Sequence, residues 1–168
     1  MTISMHQVLL PVLLRQFGTL SAVLTKAEAH AKASGIDPAT LIEAKLAPDM
    51  LPLVAQIRIA SDSAKGGVAR LAGIVPPSYA DDEVTFADLH ARIDKTVAFI
   101  KSVPADQIDG TEERHIELKA GPRTFEFSGQ DFLLHFVLPN FLFHCTVAYA
   151  ILRHSGVEIG KMDYLGAS

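Results

Sequence analysis

The sequence predicts an all-α four-helix bundle with a small β-hairpin between its third and fourth long helices. Three observations carry this. Four long segments place apolar residues at helical spacing and are bounded by capping residues and glycines. The stretch HIELKAGPRTFEFS alternates in character on both sides of AGPR, as a two-stranded hairpin does. A chain of 168 residues, 49% hydrophobic and 20% charged, is one domain's worth and can bury a core, so residues 1–168 are read as a single unit.

Ser4 is placed to cap a first long helix that ends at Gly35. Pro11 lies inside it, removes one backbone donor and is expected to bend the axis. Asp37 and Pro38 open a short helix over DPATLIEAK, as N-cap and first helical residue. LAPDMLPLVAQIRIASDSAKGGVARLAG is the second long helix, with Asp49 as its expected cap and Gly73 at its end. Gly66 and Gly67 inside it cost helix propensity, about 1 kcal/mol each, and point to close packing against a neighbour.

IVPPSYADDEV is a connection long enough to cross an end of a bundle. Its Asp81, Asp82 and Glu83 read as a solvated turn. Arg58 with Asp62, and Asp62 with Lys65, have the spacing of surface ion pairs. The third helix, TFADLHARIDKTVAFIKSV, repeats Phe86, Leu89, Ile93, Val97 and Ile100 at helical intervals. After the hairpin, Ser128 caps a fourth helix from Gly129 to His154. The tail VEIGKMDYLGAS has no helical period and is expected to pack as an extended arm.

The net charge of −4 provides no basic patch for a phosphate backbone, which argues against a nucleic-acid partner. The single cysteine, Cys145, cannot form an internal disulfide and points to a reducing, cytoplasmic setting. MTISMHQVLLPVLLRQFG lacks the cationic start and cleavage site of a secretory signal. FLLHFVLPNFLFHCTVAYAIL is long enough to span a membrane, but His135, Pro139, Asn140, His144 and Thr146 interrupt it, so it is read as a core helix. The mean hydropathy of +0.25 is high for one small bundle to hide, and points to a homodimer.

That fourth helix holds the candidate site. Asn140 and His144 are four apart, about 40° round the helix from each other. Leu133, Val137, Val147 and Ile151 share their side, so both polar groups sit in the stripe that faces the core. An unpaired buried polar group costs roughly 1–3 kcal/mol, so something must bond them. Gln56 of the second long helix is the expected partner of both. Pro139 cannot donate to the carbonyl of His135, so the helix is expected to open just before Asn140. Gln56, Asn140, His144 and Pro139 are therefore the predicted lining of a pocket. Cys145 adjoins His144 but points about 100° away, so it reads as a buried thiol rather than a nucleophile.

Two stretches, LAPDMLPLVAQIRIASDSAKGGVARLAG and GQDFLLHFVLPNFLFHCTVAYAILRHSGVEIGKMDYLG, resemble an uncharacterised bacterial family of the DinB/YfiT-like metalloenzyme superfamily, with the likeness running from SMHQ to DYLG. The resemblance implies an up-down-down-up bundle and, in many members, a dimer. It also implies a divalent metal between the second and fourth long helices, held by three histidines, and thiol-dependent transferase or isomerase activity in the members of known function. Carried over, Gln56 stands at the position of the first histidine, Asn140 at that of the second, and His144 keeps the third. Metal binding is then expected to be weak or absent, with zinc or nickel as the ion and His6 as a further donor. Three readings stand: a polar pocket for a small molecule, a metal-dependent thiol transferase or isomerase, and a non-enzymatic dimeric interaction protein whose polar layer fixes helix register.

Overall fold

The computed structural model describes residues 2–166. Helix α1 (Met5–Ser34) opens with a reciprocal cap. The Ser4 hydroxyl accepts from the Gln7 backbone N–H at 3.3 Å, and the Gln7 side chain accepts from the Ser4 N–H at 3.2 Å. It is continuous through Pro11 and ends at Gly35, whose φ of 65° only glycine adopts without strain. A short helix α2 (Pro38–Ile42) follows, capped by Asp37.

Helix α3 (Leu53–Ala72) starts later than expected, and Asp49 does not cap it. Pro52 stands at the N-cap, and the Leu53 N–H donates instead to the Ala44 carbonyl at 3.0 Å. The carbonyl trailing α2 thus does the work of a capping side chain. Helix α4 (Phe86–Ser102) has a full capping box between Thr85 and Asp88.

The hairpin forms as expected. β1 (Ile116–Ala120) and β2 (Arg123–Phe127) pair antiparallel, with Ile116 opposite Phe127 and Ala120 opposite Arg123. The last long helix, α5 (Gly129–His154), is capped by the Ser128 hydroxyl. Over Phe132–Val137 it widens into a π turn, in which the Leu138 N–H reaches back five residues to the Leu133 carbonyl. This turn ends beside Pro139, which has no N–H to carry on the regular ladder. The disruption expected there thus takes the form of a widened turn. The tail is not an extended arm. It folds into a helical turn, α6 (Lys161–Leu165), with the Asp163 carboxylate accepting from the Gly160 N–H at 2.7 Å. One turn is too short to show a period in sequence.

Helices α1 and α3 each pack on α4 and α5. Between α3 and α4, Asp62 pairs with Arg92, and three residues on in each helix Lys65 and Lys95 lie over the Tyr79 ring. The two helices therefore run parallel. Between α3 and α5, Gln56 meets His144, Ser63 meets Asn140 and Gly67 faces Val137, so these run antiparallel. The order is up-down-down-up. Eleven extended residues reach about 36 Å against about 26 Å for a helix of α4's length, so the 74–84 connection can return along the bundle.

That connection is not a free acidic turn. Glu83 is buried, taking hydrogen bonds from Arg58 at 2.7 Å and Arg92 at 2.8 Å. Arg58 turns to Glu83 rather than to Asp62, because a buried carboxylate gains more from a partner than an exposed one. Asp62 does pair with Lys65, at 2.9 Å. The core is built from Leu9, Leu13, Phe17 and Leu24 of α1, Ile57, Ala64 and Val68 of α3, Leu89 and Ile93 of α4, and Val137, Phe141 and Ile151 of α5. Fully burying one such aliphatic or aromatic side chain is worth roughly 1.5–3 kcal/mol.

Candidate functional site between α3 and α5

Gln56 is 2% exposed on the face of α3 that meets α5. Its side-chain N–H donates to the Leu51 carbonyl at 3.0 Å, which orients the amide and turns its oxygen to α5. That oxygen lies 2.7 Å from His144 Nδ1. An amide oxygen can only accept, so Nδ1 carries the proton and the neutral ring keeps its lone pair on Nε2. Nε2 makes no hydrogen bond to the protein among the described residues. Half-burial of the ring pushes the His144 pKa below its ordinary value, because the imidazolium would lose hydration.

Asn140 is one turn back along α5 and, contrary to expectation, does not share Gln56. Its side-chain N–H donates to the Ser63 hydroxyl at 2.7 Å. The reason is the antiparallel crossing: moving toward the start of α5 moves toward the end of α3. Ser63 is seven residues beyond Gln56, two turns along the same face. That spacing is present in the sequence and puts Ser63 on the Gln56 face, but which of the two meets Asn140 depends on how far α5 slides along α3. The seam thus holds two separate polar pairs rather than one cluster. Below them a closer approach continues the line. A β-carbon on Gly67 would lie 2.5 Å from Val137 Cγ1, which explains why this helix carries a glycine there.

Pro139 is exposed, while Gln56 is buried and Asn140 and His144 are half-buried. Its effect on the site runs through the backbone of the π turn. His6 sits in the first turn of α1, where its N–H donates to Asp109 at 2.8 Å. That turn lies level with Leu133, about 16 Å along α5 from His144, so His6 cannot join the site. Cys145 is buried about 100° round the helix from His144, against α1 and α6, and burial pushes its thiol far above the ordinary range. Among the described residues, no three His, Cys, Asp or Glu side chains gather as a metal-ligating group. Exposed Phe143 meets the His144 ring edge-on with centroids 5.2 Å apart.

A family model described as a domain of unknown function, DUF1993, matches residues 5–165. No curated protein matches the chain. Among solved structures, a DinB family member protein from Shewanella denitrificans is 34% identical, with a TM-score of 0.87 over 97% of this chain and 92% of that one.

Proposed function

The chain belongs to the DUF1993 family and has the DinB-like fold, and on that footing we propose that the α3–α5 seam is a hydrogen-bonding site for a small molecule, standing where the superfamily's metal site has been lost. The observation that carries this reading is the oriented Gln56 amide, which leaves His144 Nε2 as an acceptor on a half-exposed ring. Phe143 adds apolar surface beside it. A neutral molecule with a hydroxyl or amide donor and an apolar body fits that combination. The reading assigns binding and no reaction.

The donor chemistry supports the loss of the metal. One imidazole with two carboxamides is a poor set for zinc or nickel, and the Gln56 oxygen is already committed to His144 Nδ1. Any divalent metal is then weakly held. Zinc titration by calorimetry, with the His144 ring nitrogens followed by NMR, tests this. The expected result is weak or no zinc binding, an Nδ1–H tautomer, and ring shifts on adding small alcohols or amides. Tight uptake of one zinc per chain, or an Nε2–H tautomer, overturns it. Gln56→His with Asn140→His restores three imidazoles and is expected to gain zinc affinity.

A second reading rests on the outer face of α5. Pro139, Phe143 and Thr146 are exposed there, and Phe143 is 56% accessible. This apolar face supports a homodimer, and the buried lone thiol fits a cytoplasmic protein.

A further inference from the structure

A cleft of about 180 Å³ lies at the other end of α5, between the start of α1 and the π turn. Its wall is formed mainly by Ile3, Met5, Val8, Leu133 and Leu134, with Glu112 beside them. Ile3 and Leu134 are exposed, so an occupant would cover apolar surface that the fold leaves in water. The volume suits one ring: an apolar cavity of about 150 Å³ takes benzene. Leu133 and Leu134 sit on the widened turn, a feature that recurs at functional sites.

The charge around the cleft is one-sided. Glu112 forms no ion pair among the described residues. The segment ADQIDGTEE around it carries Asp106, Asp109, Glu112 and Glu113 and no cation. The neighbouring Arg114 is committed to the Leu71 carbonyl at the end of α3. We propose that this cleft binds small primary amines with an apolar body, of the arylalkylamine class, with the ring against Val8, Leu133 and Leu134 and the ammonium at Glu112. An apolar wall beside an uncompensated carboxylate selects a cation with a greasy body, and rejects the matching carboxylate by repulsion. The site is independent of the α3–α5 seam.

The test is titration of the 15N-labelled protein with benzylamine, benzyl alcohol and benzoate. Benzylamine is expected to give saturable shifts at the amides of Val8, Leu133 and Leu134, binding about five-fold or more tighter than benzyl alcohol, with benzoate weakest. Glu112→Gln keeps the shape and the backbone acceptor to Gln130, and is expected to erase the preference for the amine while leaving alcohol binding unchanged. Benzoate binding as well as benzylamine overturns the proposal. So do shifts elsewhere or none, and an amine preference that survives Glu112→Gln.

Discussion

His144 is an imidazole on an apolar stripe, and its charge state is decided by its surroundings. Burial lowers its pKa, so as pH falls the unfolded chain takes up the proton first. Stability from this group is full above the ordinary histidine value of about 6.5 and declines as pH falls toward the folded value. An NMR titration should place its midpoint below 6.5. Gln56→Glu sets a carboxylate against Nδ1–H and is expected to reverse the sign, with a raised midpoint and stability lost as pH rises through it. An unchanged midpoint in that variant would mean that the pair does not form. Two glycines give a second contrast at this scale. Gly67→Ala drives a methyl into Val137 and should cost about 1–3 kcal/mol in urea unfolding. Gly18→Ala meets nothing within 4 Å on exposed helix and should stabilise by about 0.5–1 kcal/mol.

Among the elements, the 74–84 connection and α6 are held in different ways. The connection is fastened through Arg92, which is 2% exposed and bonds Glu83, Asp81, Asp62 and the Ala80 carbonyl. Arg92→Leu leaves Glu83 with Arg58 alone and should cost about 3 kcal/mol in urea unfolding, as breaking a buried pair does. Burial would raise the Glu83 pKa, but hydrogen bonds from Arg92 and Arg58 outweigh it and hold the carboxyl below its usual range. Its stability is therefore present above the ordinary glutamate value of about 4.3 and lost as pH falls through the folded one, and Arg92→Leu should flatten that acid limb. Helix α6 buries no residue fully. It is latched by Lys26 to Asp163, by Arg15 to the Leu165 carbonyl at 2.7 Å, and by Tyr164 to Thr146 at 2.9 Å. Beneath it Cys145 and Tyr149 line a closed slot. Tyr164→Ala is expected to speed labelling of Cys145 several-fold with little change in the urea midpoint, because local opening needs only these few contacts. Labelling as slow as in the wild type would show that α1 and α5 alone bury the thiol.

At the scale of the molecule, α1 and α5 are both long and apolar enough to cross a membrane, yet both are core helices of this bundle. Their apolar residues exceed what one face needs, and Phe143 is part of the excess. Sedimentation of the wild type at micromolar concentration is expected to show a dimer, and Phe143→Glu to shift it to monomer by placing a charge in the contact. A wild-type monomer would remove the dimer reading without touching the seam.

Local rules written into the sequence determined most of the elements. Ser4, Asp37, Thr85 and Ser128 each cap the helix that follows, and Gly35 and Gly73 each end one in the left-handed conformation. These features depend on residues two to four apart, so the chain states them before it folds. Gln56 against His144 was legible too, since each lies on an apolar stripe and needs a partner. The tertiary structure alone decided that Asn140 goes to Ser63, that Glu83 is buried between Arg58 and Arg92, and that Pro139 faces outward. Each of these depends on the relative slide and direction of two helices, or on a loop laid across them. A single sequence carries no term for such distances, because they are set by how the packed faces interlock.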